Sequence, residues 1–74
     1  MLVTVRFYGI PGNYPEQTVE VAENTTPQTI FRRLVGKDAP PHVLVFVGGK
    51  KAEWGDPLHE GDEVAFISPS AGGT

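Results

Sequence analysis

Cysteine is absent from the sequence, and clusters of basic residues and long apolar runs are absent too. Without cysteine the chain has no disulfide framework, no thiolate nucleophile and no thiol ligand for zinc. Its two histidines, His42 and His59, lie too far apart in sequence to form a helical pair of metal ligands. The composition therefore predicts no metal site and no cofactor bound by the chain itself.

Positive charge is also scarce. Six Lys and Arg stand against nine Asp and Glu, which gives a net charge of −3. The pairs Arg32-Arg33 and Lys50-Lys51 fall short of the basic footprint of a nucleic-acid-binding protein. No run is apolar enough to span a membrane, and residues 1–6 lack the layout of a secretory signal. We expect a soluble, cytoplasmic protein that binds neither nucleic acid nor membrane and that prefers a basic partner surface.

The first half of the chain predicts a hairpin followed by a helix. Apolar residues alternate over residues 2–8 and 17–21, which is the period of half-buried strands, and residues 9–15 between them are rich in Gly and Pro. Thr26 can cap a helix that starts with a proline and carries an apolar stripe as far as Val35. Gly36 then ends that helix.

The second half predicts three more strands, over residues 42–47, 50–54 and 63–68. The Gly48-Gly49 pair supplies the two positive φ angles of a tight turn between the first two. The chain is thus of the α+β class, with a mixed four- to five-stranded sheet crossed by one helix in the order β-β-α-β-β-β. We expect the first and last strands to be central neighbours, whereas the register of the third strand stays open. The predicted core comprises Val3, Val5, Phe7, Val19, Val21, Ile30, Phe31, Leu34, Val35, Leu58, Val64 and Phe66, with alternate residues of the third strand.

A second glycine pair, Gly72-Gly73, follows the last strand and Pro69, and Thr74 comes after it. A glycine pair alone is weak evidence, because chance places one at a given position about once in two hundred. Its context is more specific. The run from Asp62 to Gly73 (Asp-Glu-Val-Ala-Phe-Ile-Ser-Pro-Ser-Ala-Gly-Gly) closely resembles the terminal segment of the molybdopterin synthase small subunit.

This small subunit and the related thiamin-pathway sulfur carrier, which also ends in Gly-Gly, are ubiquitin-like β-grasp proteins; small archaeal modifier proteins are similar. The resemblance covers the whole chain in element order, and its specific part runs over about residues 57–73. It implies a β-grasp domain over residues 1–68 and a flexible tail over residues 69–74 that carries Gly72 and Gly73.

The resemblance implies that the carboxylate of Gly73 is activated as an acyl-adenylate by a ubiquitin-activating-type enzyme, which uses ATP. The product is a thiocarboxylate for molybdopterin-type cofactor synthesis or related sulfur transfer, or else a bond to an amine, as in a protein modifier. The chain is then no enzyme but a protein co-substrate, or a non-catalytic subunit of a synthase. Its further partner is a synthase large subunit or another sulfur acceptor.

The tail residues suit this chemistry. Glycine has no Cβ and so permits close backbone approach in a narrow channel, and Pro69 stiffens the exit from the domain. Residues 69–73, when extended, span on the order of 16 Å.

Thr74 departs from the pattern, since carriers that act directly end at the second glycine. A β-branched residue fits a glycine-shaped channel poorly. Either a peptidase removes Thr74, or the tail is not used chemically and the chain is a non-conjugating interaction domain.

The resemblance also implies a partner-binding face on the side of the sheet opposite the helix. By position, Tyr8 and Ile67 belong to it, and Pro69 at the exit is a further partner-binding candidate. Lys51 occupies a place on this face where the family can have an apolar residue. The two apolar residues are adjacent only if the first and last strands pair. Otherwise they are scattered surface residues that need no explanation.

The remaining polar and aromatic residues have ordinary structural interpretations. Trp54 is expected to cover a core edge rather than form a binding platform. His42 and His59 are expected on the surface, and Glu60, Asp62 and Glu63 are expected to serve turns and an acidic surface rather than acid-base chemistry or metal binding. Lys37, Lys50 and Lys51 are candidate conjugation acceptors or simply solubilising charges.

Overall fold

The structure is a computed structural model that describes residues 1–69. The fold begins with a β-hairpin. Strand β1 (Leu2–Tyr8) pairs antiparallel with β2 (Gln17–Glu20), and Val3 lies opposite Val19. The loop between them contains two glycines with positive φ, Gly9 at 73° and Gly12 at 121°. The predicted hairpin is confirmed, and its second strand ends one residue earlier than predicted.

The single helix of the described residues, α1 (Pro27–Val35), begins and ends where the sequence predicts. The side chain of Thr26 accepts a hydrogen bond from the Thr29 N–H at 3.4 Å, which satisfies one of the free donors of the first turn. At the other end Gly36 adopts a left-handed φ of 91° and donates to the Arg32 carbonyl at 2.8 Å. Glycine takes this conformation without the steric cost that a Cβ would bring.

A second hairpin joins β3 (Leu44–Val47) to β4 (Lys50–Ala52). Gly48 and Gly49 have φ angles of 59° and 83°, so this glycine pair is the predicted tight turn. Both strands are shorter than the predicted 42–47 and 50–54. The third starts late because the Val43 N–H donates to the Pro40 carbonyl at 3.1 Å in a turn instead of to a neighbouring strand.

The last strand, β5 (Glu63–Ile67), completes a five-stranded sheet in the order β2-β1-β5-β3-β4. It runs parallel to β1 and antiparallel to β3, so the predicted pairing of the first and last strands is confirmed. The sheet has five strands rather than four, and β4 lies at one edge. Within residues 1–69, no helix is both long and apolar enough to cross a bilayer.

The core lies between α1 and one face of the sheet. An aromatic cluster occupies its centre, where Phe66 packs against Phe31 at 5.1 Å, Phe7 at 5.4 Å and Trp54 at 5.5 Å between ring centroids. Trp54 therefore covers a core edge, as predicted. The buried apolar residues are Val3, Val5, Val21, Ile30, Phe31, Val43, Val45, Leu58, Val64 and Phe66. Phe7, Val19, Leu34 and Val35 are only partly buried at its border.

Candidate functional site

The face of the sheet opposite α1, called here the open face, has no element packed on it among the described residues. Strand alternation places Arg6 and Tyr8 of β1, and Ala65 and Ile67 of β5, on this face, because Val5, Val64 and Phe66 point into the core. The half of the open face near β2 is polar, with Thr4 opposite Thr18. The half toward β3 is apolar.

The apolar half forms a contiguous patch. Tyr8 lies beside Ile67 across the parallel pair of strands, and Ile67 lies beside Leu44 across the antiparallel pair. Phe46 adjoins Ala65 in the same register. We call these five residues the open-face patch. Tyr8 is 50% exposed, whereas the other four are half-buried.

Tyr8 and Ile67 were expected to be neighbours only if the first and last strands pair. Strands β1 and β5 do pair, and the two residues lie side by side. The structure adds Leu44 and Phe46, which the sequence did not assign. Every residue over 43–47 is apolar, so the third strand has no polar alternation to reveal its faces. The sequence therefore could not show which residues of this strand face the core. Burial of Val43 and Val45 turns Leu44 and Phe46 outward.

Charged groups border the open-face patch. Lys51, on the edge strand, is exposed and directly opposite Phe46. On the other side, the Arg6 guanidinium contacts the carboxylates of Glu16 at 3.2 Å and Glu63 at 3.1 Å. The hydrogen bond and charge of Glu16, followed by the charge of Glu63, raise the pKa of Arg6. Because Arg6 already has two carboxylates, Lys51 is, among residues 1–69, the cation at the border of the patch that a partner carboxylate can reach.

The open face, as formed by the described residues, is a shallow surface. A depression of about 230 Å³ lies over the middle of the sheet, and Phe46, Ala65, Ile67, Arg6 and Glu63 line it. A site this shallow and broad suits contact with a protein surface better than burial of a small molecule, for which pockets are concave.

The exit of the chain from the sheet lies at the same end as Tyr8. The Ser68 N–H donates to the Tyr8 carbonyl at 2.9 Å, and Pro69 follows as an exposed residue. The predicted boundary after residue 68 and the stiffening role of Pro69 stay predictions. Gly72, Gly73 and Thr74 lie outside the described residues.

The acidic residues near the last turn have structural partners. Asp62 accepts from the His59 N–H at 2.8 Å, Glu60 accepts from the Leu2 N–H at 2.9 Å, and Glu63 holds Arg6. They act as turn and surface residues, in line with the structural interpretation. His42 and His59 are exposed, and no group of three or more metal-ligating side chains occurs within residues 1–69.

Comparison with known proteins decides the family. The model of the ThiS family matches residues 5–73, which is most of the chain. The chain belongs to the ThiS family. The matched range includes Gly72 and Gly73, so the resemblance to the sulfur carriers is confirmed. No curated protein matches this ThiS-family chain by sequence.

Two solved structures are similar to this ThiS-family protein. SAMP1 from Haloferax volcanii matches 99% of this chain and 100% of its own, with 20% identity and a TM-score of 0.77. A ubiquitin-like protein from the archaeon Caldiarchaeum subterraneum matches 92% of this chain and 95% of its own, with 17% identity and a TM-score of 0.60. At these identities the likeness establishes the fold, which is the predicted ubiquitin-like β-grasp.

The family also sets the general role. This ThiS-family protein is a ubiquitin-like protein of the sulfur carrier kind. Such proteins typically interact with activating enzymes of the ubiquitin-activating type and with sulfur acceptors, and they are generally not catalysts themselves.

Proposed function

We propose that this chain is a sulfur carrier whose Gly73 carboxylate is activated by an adenylating enzyme and converted to a thiocarboxylate. The family match, which extends through residue 73, carries the proposal. A carboxylate oxygen of Gly73 attacks the α-phosphorus of ATP on the partner enzyme and releases pyrophosphate. Hydrosulfide then attacks the acyl carbon, displaces AMP and loses its proton to leave the thiocarboxylate, which serves molybdopterin-type cofactor synthesis or related sulfur transfer.

Cleavage of the Gly73–Thr74 bond precedes these steps. Thr74 follows Gly73 in the sequence, so the Gly73 carboxylate exists only after a peptidase has hydrolysed that bond. Gly72 and Gly73 then enter the channel of the activating enzyme, because their lack of side chains permits close approach of the backbone. The chain supplies no acid, base, metal or cofactor to this chemistry, and ATP belongs to the partner.

The open-face patch is the proposed docking surface for the activating enzyme and for the synthase large subunit or other sulfur acceptor. Tyr8 and Ile67 lie beside the strand end from which Pro69 leaves the sheet, so a protein seated on the patch is next to the start of the tail. Lys51 adds a cation at the far border for a carboxylate of the partner. Aromatic anchors such as Tyr are typical centres of such interfaces.

The test compares two forms of the chain with the activating enzyme of the same host. One form ends at Gly73 and the other retains Thr74, and pyrophosphate exchange is measured with each. We expect exchange only with the form that ends at Gly73. Equal exchange by both forms contradicts the requirement for cleavage, and exchange by neither contradicts activation at Gly73.

A further step separates sulfur transfer from conjugation, since both begin with the same adenylate. The chain is incubated with the sulfur donor and host extract. If the chain is a sulfur carrier, we expect a terminal thiocarboxylate on the free chain. Host lysines that carry the Gly73 end of the chain in an amide bond indicate a modifier instead.

A further inference from the structure

A second apolar depression lies on the helix side of the molecule, away from the open face. We call it the tail-end groove. Its floor is formed by the buried residues Phe31 and Val43, and its walls include Ile10 and Val35. Its volume is about 150 Å³. A cavity of roughly this size accepts a single benzene ring, so the groove fits one aromatic or branched side chain.

The rim of the groove carries one cation, Lys37. Lys37 and His42 both line it and are exposed, and no carboxylate is among its described lining residues. The neighbouring Asp38 accepts a hydrogen bond from the Arg32 guanidinium at 2.8 Å and so is already paired. A positive rim is a local exception on a chain of net charge −3. It complements a carboxylate beside the apolar group that fills the groove.

Local contacts hold the walls in place. Tyr14 packs on Phe7 with 5.2 Å between ring centroids, which fixes the loop that presents Ile10. The Val43 turn is held by its hydrogen bond to Pro40. A groove shaped before its ligand arrives loses less side-chain and loop freedom on binding.

The groove lies at the end of the sheet where the chain leaves β5. Because β1 and β5 are parallel, Ile10 follows the end of β1 at the same edge as Ser68. Val43 immediately precedes Leu44, the partner of Ile67, so the turn before β3 reaches that edge as well. A protein that handles the tail approaches this edge, and the groove is within its reach.

We propose that the tail-end groove binds an aromatic or branched side chain, flanked by a carboxylate, on the activating enzyme. Identification of that protein rests on the proposed function, whereas the affinity of the groove for an apolar acid does not. The groove is a contact separate from the open-face patch, on the other side of the sheet.

The first test titrates the full chain with 3-phenylpropionate and follows backbone amide shifts by NMR. We expect saturable shifts confined to Ile10, Val35 and Val43 and their neighbours, with a Kd on the order of a few millimolar for so small a ligand. The neutral 3-phenylpropan-1-ol and the Lys37→Glu variant should each bind at least fivefold more weakly. Lys50→Glu, a matched charge reversal at the start of β4 and outside the lining of the groove, should bind the probe like the unaltered chain.

Several results overturn the proposal. The first is that the probe causes no saturable shifts, and the second is that its shifts are confined to the open face. The third is that Lys37→Glu and Lys50→Glu weaken binding of the probe equally. Shifts at the groove that depend on protein concentration without probe assign it to a second copy of the chain. Shifts produced there merely by truncation after Pro69 assign it to the chain's own tail.

The second test uses pyrophosphate exchange with the activating enzyme and the chain that ends at Gly73. Lys37→Glu should raise the half-saturating chain concentration at least threefold. If Lys37→Glu has no effect while Tyr8→Glu impairs exchange, the groove proposal fails and the proposed function stands. If the unaltered chain supports no exchange at all, the proposed function fails, and the probe titration still decides whether the groove binds apolar acids.

Discussion

The two faces of the sheet carry apolar residues in alternation, yet they differ in what covers them. On the helix side, Phe66 and Val45 are buried beneath α1 and the aromatic cluster. On the open face, their sequence neighbours Ala65 and Phe46 border solvent. Apolar area on the covered face stabilises the fold, whereas the same chemistry on the open face is available to a partner. The same strands thus stabilise the fold through one face and, in the proposed function, contact partners through the other.

The largest difference between the two faces is expected from a matched pair of side-chain truncations, one on each face. Phe66→Ala removes the ring at the centre of the core and should cost about 3–5 kcal/mol, which leaves little of the roughly 5–15 kcal/mol of a typical domain. Phe46→Ala removes the same ring from the neighbouring strand on the other face and should cost about 1 kcal/mol. Urea denaturation measures both. Equal losses would mean that the open face is as structural as the core.

The role of the open-face patch in binding can be tested by placing a negative charge either inside the patch or outside it. Tyr8→Glu should weaken binding to the activating enzyme at least tenfold, since it puts a charge into an apolar contact, and should change the free energy of unfolding by less than about 0.5 kcal/mol. Thr18→Glu, in β2 on the polar half of the same face, is the matched control. Calorimetric titration gives the two Kd values. Unchanged binding by Tyr8→Glu would exclude the patch as the docking surface.

The covered face depends on how α1 is fixed at its start. Thr26→Ala removes the side-chain acceptor of the Thr29 N–H, so we expect a loss of about 0.5–1 kcal/mol of stability. This is at the lower end for helix caps because the bond is 3.4 Å long. Thr26→Ser keeps the acceptor and should retain most of that stability. Thermal unfolding distinguishes them, and identical curves for both variants would argue against the cap.

The smallest effect is expected at the border of the patch. Lys51→Leu removes an exposed cation opposite Phe46, and the free energy of unfolding should change by about 0.5 kcal/mol or less. Binding to the activating enzyme should become less sensitive to salt if Lys51 meets a partner carboxylate. The slope of Kd against ionic strength is the measurement. An unchanged slope would remove Lys51 from the interface.

Much of the fold was predictable because its signals are local. The alternation of β1, the Thr26 cap, the left-handed Gly36 and the Gly48-Gly49 turn each follow from neighbouring residues. The faces of the third strand did not, since an unbroken apolar run has no period. For this reason the sequence placed Tyr8 and Ile67 on the open face but did not place Leu44 and Phe46 there.

The tail-end groove could not be predicted from the sequence for a different reason. Ile10, Val35, Lys37 and Val43 come from three separate segments, and each alone is an ordinary loop or helix residue. Only the parallel pairing of β1 with β5 and the position of the turn before β3 bring them to one edge. Long-range pairing of this kind leaves no local trace in the chain.

Mass spectrometry of the protein purified from its native host shows whether the carboxylate of Gly73 is released and receives sulfur. We expect a species that ends at Gly73, lacks Thr74 and carries sulfur in place of one terminal oxygen. Its abundance should fall when the activating enzyme is deleted. A population in which every molecule retains Thr74 would contradict the proposed function.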